Sequence, residues 1–165
     1  MKFTDYSHRH GKELLQLIQP DLYQEIQNIL SSLPPFPHGA KKGATVKTDL
    51  ESAFREKGWS AEKPVSLSKG KGDFVDLYKE PVAVEMEWSR FEMFFRDFFR
   101  FMLLYERKEI EVGVILTFDE MAYERWGGVA LPYKSARASL ERLVDFLQGD
   151  YRTVVRVPIW CIGIE

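Results

Sequence analysis

Cysteine is almost absent: Cys161 is the one such residue in a chain of 165. A disulfide framework and a cysteine-rich zinc site are thereby excluded. A reducing cytoplasm is the expected compartment. No apolar run approaches the roughly 18 residues that a membrane span needs. The stretch Met1 to His10 is polar and lacks the apolar segment of a secretory signal. Neither charge is in excess, since 23 basic side chains face 25 acidic ones for a net charge of −2. A protein that holds nucleic acid by bulk charge alone is therefore not expected. Internal repeats and low-complexity tracts are also missing.

What is present is 45% hydrophobic residues, too many for a disordered chain. The length suits one domain, residues 1–165, with an N-terminal helix and loop over 1–47 and a core over 48–165. Charge is unevenly spread. Residues 41–71 carry eight Lys/Arg against four Asp/Glu, and residues 106–124 carry two against six. A polyanion would be met by one face.

Helical spacing runs from 12 to 30 through Leu14, Leu15, Ile18, Leu22, Ile26, Ile29 and Leu30, with a break at Pro20. Pro34 to Pro37 opens a loop, and 38–47 is Gly- and Lys-rich. Thr48 and Glu51 have capping-box spacing and predict a second helix closed by Gly58. After a polar stretch over 60–72, the period changes to two. Asp73–Tyr78 and Val82–Trp88 read as a hairpin around Lys79-Glu80-Pro81. Residues 89–108 form a helix whose apolar face is Phe91, Phe94, Phe95, Phe98, Met102 and Tyr105. Residues 110–118 form a strand buried on both sides. A long connection over 119–134 leads to a helix over 135–147 and a last strand over 153–164. This order predicts a mixed α/β domain with helices covering a central sheet.

The hairpin concentrates acid. Val82, Val84, Met86 and Trp88 share one face of its second strand, and Ala83, Glu85 and Glu87 the other. Asp76 pairs with Ala83 or with Glu85, and either register puts it on the glutamate face. Asp73, three residues earlier, is expected on the opposite face. Carboxylates so crowded repel, and one takes up a proton unless a divalent cation intervenes. Oxygen-rich, partly hydrated sites of this kind suit Mg²⁺, which can activate water at a phosphate. A plain solvated strand face has the same alternation.

Asp76, Glu85-x-Glu87-Trp88, Phe94-Phe95-Arg96-Asp97-Phe98, Arg100, Leu103-Leu104 and Glu109-Ile110-x-Val112-Gly113-Val114-Ile115 form an ordered set of blocks. Gly58-Trp59 precedes it and Val157 to Ile164 follows. Over roughly 48–165 this set resembles the BglII/BstYI group of type II restriction endonucleases, within the PD-(D/E)xK nuclease superfamily. The resemblance implies a restriction-endonuclease-like α/β fold, a mixed central sheet flanked by helices. It implies Mg²⁺-dependent hydrolysis of phosphodiester bonds in double-stranded DNA, with Mn²⁺ as a possible substitute, by a homodimer. Asp76, Glu85 and the main-chain carbonyl of Met86 would hold the metal. Glu87, where most of the superfamily carries lysine, would position or deprotonate the attacking water.

Glu51 is a candidate supporting acid, and its capping position explains it equally well. Arg96 and Asp97 could brace the site or the dimer, although as helix neighbours they are not expected to face each other. Lys69, Lys71, Lys134, Ser135 and Arg137 are the candidate DNA contacts. The connection over 119–134, which includes Tyr123-Glu124-Arg125-Trp126, falls where the group carries base-reading residues and is unlike their Ser/Thr-rich segment. His8 and His10 are expected to fray. Two other functions remain open to these residues: a nuclease-fold module that binds DNA or protein without cutting, and a repair nuclease that cuts by DNA structure.

Overall fold

The computed structural model describes residues 2–33, 43–65, 73–126 and 136–165. In chain order the elements are β1 (Phe3–His8), α1 (Gly11–Ile18), α2 (Pro20–Ser32), α3 (Gly43–Glu56), β2 (Ser60–Pro64), β3 (Phe74–Lys79), β4 (Val82–Met86), α4 (Met93–Glu106), β5 (Val112–Phe118), α5 (Glu120–Trp126), α6 (Leu140–Gln148) and β6 (Ile159–Ile164). The strands make one sheet in the order β1-β6-β5-β4-β3-β2. β4, β5 and β6 run parallel, and the strands outside them are antiparallel to their neighbours.

The central strands are buried throughout because both sheet faces are covered. On one face Val112, Val114, Leu116, Trp160 and Ile162 pack with Leu15 of α1, Ile26 and Leu30 of α2, and Leu50 and Phe54 of α3. On the other, Ile115, Ile159 and Cys161 pack with Phe98 and Phe101 of α4 and Leu143 and Leu147 of α6. Pro20 divides α1 from α2 as expected, standing at the first helical position where its missing N–H costs nothing. Gly58 ends α3 at φ +83°, and the N–H groups of Gly58 and Trp59 return to the carbonyls of Arg55 and Phe54. The Trp59 ring then meets Phe54 edge-on at 5.1 Å, the apolar contact that accompanies this cap.

Several expectations are corrected. β1 and β2 are edge strands in stretches that look polar, and His8 is buried against the carbonyl of Val155 rather than frayed. α3 begins at Gly43, so Thr48 lies inside the helix and no capping box forms there. α5 occupies part of the expected connection, started by Asp119, whose carboxylate accepts the N–H of Ala122. α6 starts at Leu140 with Ser139 as its cap, not at Ser135. The last strand is only the six residues Ile159–Ile164, preceded by a 3-10 turn over Asp150–Thr153 and a non-strand stretch over 154–158. Among the described residues no helix is long and apolar enough to cross a membrane.

Candidate active site

The hairpin between β3 and β4 turns on Glu80-Pro81, with Lys79, Tyr78 and Leu77 opposite Val82, Ala83 and Val84. Continuing that register puts Asp76 across from Glu85, one of the two pairings the sequence allowed. The ladder stops there. Val75 packs in the cluster that holds Ala83, while Leu77 packs on the other sheet face. Strict alternation would put both on one side, so the strand breaks its period at Asp76. The Asp76 carboxylate crosses to β4, where its Oδ2 accepts the Met86 N–H at 2.8 Å. A strand residue points its N–H and C=O to the same edge. The Met86 carbonyl therefore faces the gap that Asp76 enters.

Each acid of the hairpin has its own cation. Lys47 of α3 reaches Asp76 Oδ1 at 2.7 Å. Arg100 of α4 reaches Glu85 Oε1 at 3.0 Å. Glu87, just past β4, accepts the Ser89 N–H at 2.7 Å and lies 3.5 Å from Arg96. Between them is Asp97 of α4, fully buried, 3.2 Å from Arg96 and 3.6 Å from Arg100. Its Oδ2 has no hydrogen-bond partner among the described residues. Burial, then the charges of Asp97 and Asp76, raise the Glu85 carboxyl well above its ordinary range against the pull of Arg100. Burial pushes Asp97 up to about 7, with Glu87 adding to the rise and the two arginines opposing it. The proton uptake expected of crowded carboxylates is thus the tendency of this cluster.

Among the described residues no three acids stand close enough to share one ion. The three-carboxylate patch read from alternation is instead a pair, Asp76 and Glu85, with the Met86 main chain beside it and Glu87 turned toward Ser89. That set fits a hydrated divalent ion. The donors are hard oxygens, and the charges of Asp76 and Asp97 both raise the Glu85 carboxyl, a repulsion that a cation relieves.

Asp73 is corrected: it precedes β3, so strand parity does not govern it, and Arg100 joins it to Glu85 through Nε at 2.7 Å. Arg96 and Asp97 do meet, the guanidinium lying 3.2 Å from Asp97 Oδ1. Glu51 lies one turn beyond Lys47 on α3. Arg137 is placed before α6, its guanidinium 5.3 Å from the Tyr123 ring centre. Lys69, Lys71, Lys134 and Ser135 lie outside the described residues. Tyr123, on the connection, is not turned to solvent. It is buried, with its hydroxyl 2.7 Å and 2.6 Å from the carbonyls of Trp88 and Ala138.

Sequence reasoning assigned no role to Lys47 or Arg100. Asp97 left a usable signal, an acid at helical spacing among Phe94, Phe98 and Phe101.

A model of the family described as "Restriction endonuclease BglII/BglIII" matches residues 3–164. No curated protein sequence matches the chain. Among solved structures, restriction endonuclease BglII complexed with a DNA 16-mer aligns with a TM-score of 0.79 at 18% identity, covering 100% of this chain and 78% of that one. Free BglII aligns with a TM-score of 0.69 at 19% identity, covering 100% and 80%. At these identities the structural likeness speaks for the fold.

Proposed function

The chain belongs to the BglII/BglIII family of restriction endonucleases, type II site-specific deoxyribonucleases, and from that premise we propose that it cuts double-stranded DNA as a homodimer with Mg²⁺ held by Asp76, Glu85 and the Met86 carbonyl. The observation that carries this reading is the break in β3, which brings the Asp76 carboxylate to the Met86 main chain with Glu85 across the ladder. Two carboxylates and a carbonyl leave room for the waters and phosphate oxygens that Mg²⁺ prefers, and Mn²⁺ suits the same donors. When bound, the ion supplies a more acidic water and neutralises charge on the scissile phosphate.

Glu87, held by Ser89 and Arg96, positions or deprotonates the attacking water. Lys47 and Arg100 balance Asp76 and Glu85, and both are donors suited to phosphate oxygens. Glu51 is a supporting acid on the same helix as Lys47. Arg137 is a DNA contact, and Lys69, Lys71, Lys134 and Ser135 are assigned the same role from sequence. One acidic site per chain cuts one strand, so scission of a duplex calls for two copies. An exposed apolar stripe on α4, Phe95, Phe99 and Leu103, suits a second copy of this chain.

The test is cleavage of supercoiled plasmid with Mg²⁺ by wild type, Asp76→Ala and Glu85→Ala. A fall beyond about 100-fold is expected for each substitution. Equal cutting by all three would remove these residues from the mechanism. A module that binds without cutting would leave the plasmid intact and take up no Mn²⁺ in calorimetry with DNA present.

A further inference from the structure

At the end of the sheet away from the acidic site, a cleft of about 1010 Å³ opens between the turn that joins β1 to α1 and the C-terminal end of α6. Its lining includes Tyr6, His8, Arg9, His10, Gln148 and Arg152, and among the described residues no acid. β1 is three strands from β4, about 14 Å across the sheet. His8 pairs with Ile159 at the start of β6, whereas Glu85 and Met86 stand at the C-terminal end of the parallel β4. Substrate at the acidic site does not explain this cleft.

We propose that this cleft is an anion site for phosphate esters, taking the sugar–phosphate backbone of a nucleic-acid strand other than the one being cut. The proposal does not rest on the metal reading. Arg9 is pre-set: its Nε donates to the carbonyl of Val155 at 2.9 Å and its Nη2 to that of Arg152 at 3.3 Å. Those partners are neutral, so they fix the guanidinium without cancelling its charge. Among the described residues no carboxylate lies within ion-pair distance of Arg9 or Arg152. The positive field is felt locally, since after burial itself, Arg9 and Arg152 each push the pKa of His8 down. Guanidinium groups match phosphate oxygens in geometry as well as charge. The cleft is far larger than one phosphate ion needs and opens to solvent, which favours a strand over a lone anion. A free nucleoside phosphate carries the same recognisable chemistry.

The experiment is calorimetry without divalent metal, titrating an arbitrary 12-base-pair duplex into wild type, Arg152→Gln and Arg9→Gln/Arg152→Gln. Arg152→Gln is the decisive variant, because Arg9 also ties down main chain and its loss can disturb the fold. Wild type is expected to show two classes of duplex binding, one of them weakened in Arg152→Gln and lost in the double variant. The salt dependence of that class, as log K against log salt, should flatten by about 0.9 for the single change. A second arm titrates inorganic phosphate and a nucleoside monophosphate. Binding of these that is lost in Arg152→Gln, with duplex binding unchanged, supports the same site with a small ligand. If neither duplex nor phosphate binding responds to Arg152→Gln, the proposal is overturned.

Discussion

Asp97 places a carboxyl where the neighbouring turns of α4 deliver phenylalanine rings to the sheet. Its raised pKa, about 7, sets a sign for stability against pH. Between about 4 and about 7 the unfolded chain has released this proton and the folded chain has kept it, so folding stability falls as pH rises through that window and is level above it. A lone carboxyl shifted this far contributes up to about 4 kcal/mol over the window, and the arginines beside it reduce that. Asp97→Asn has no proton to lose. Urea unfolding in metal-free buffer at pH 5 and pH 8 should show wild type losing more stability than the variant. Equal losses would mean that Asp97 ionises freely in the fold. At this scale the sequence was informative where alternation governs, as for Val84 and Ala83, which pack on opposite faces of the sheet. It was silent where a long side chain arrives from another element. Nothing in the local pattern of Lys47 or Arg100 announces that its cationic head ends on an acid 29 or 15 residues away. Asp73 lies before the first residue of β3, where strand parity does not set the side chain's direction.

The elements legible in the sequence are those with strong periods and a buried face. β5 reads as doubly buried and is, and the hairpin of β3 and β4 is where alternation puts it. The edge strands were missed because each has a single partner strand and carries little apolar pattern; β2 reads Ser-Ala-Glu-Lys-Pro. The face of α4 was misassigned for the opposite reason. Apolar residues surround this helix, so spacing alone could not tell which side meets the sheet. The buried side is Phe94, Asp97, Phe98, Phe101 and Leu104, and the charge of Asp97 argues misleadingly for solvent. The contact that fixes α4 is with Gly113 of β5. A Cβ built there would lie 2.4 Å from the Phe101 ring, which is itself fully buried. Gly113→Ala should therefore cost about 1–3 kcal/mol through overpacking. Phe101→Leu in the Gly113→Ala background should recover part of it. A urea midpoint unchanged by Gly113→Ala would show that the helix retreats without penalty.

On the whole molecule, the rotation of α4 that buries Asp97 turns Phe95, Phe99 and Leu103 outward, 41%, 64% and 44% exposed. They recur every fourth residue, so they form one stripe along the helix. Tyr151, also exposed, extends it, its ring 6.0 Å from that of Phe95. A helix apolar on all sides needs cover on all sides. The sheet covers one side here, and a second copy of the same stripe about a two-fold axis would cover the other. Such an interface would also join two acidic sites into one assembly, as cutting both strands requires. Phe99→Glu puts a charge at the most exposed of the three stripe residues while leaving the buried face of α4 intact. Thermal unfolding of the variant should follow that of a wild-type monomer, and sedimentation should show a dimer for wild type and a monomer for the variant at the same micromolar concentration. With the pairing lost, plasmid digestion should shift from linear product to nicked circle, because each isolated site still reaches one strand. A wild-type chain that sediments as a monomer on DNA, or a variant that still linearises plasmid, would leave the stripe without this role.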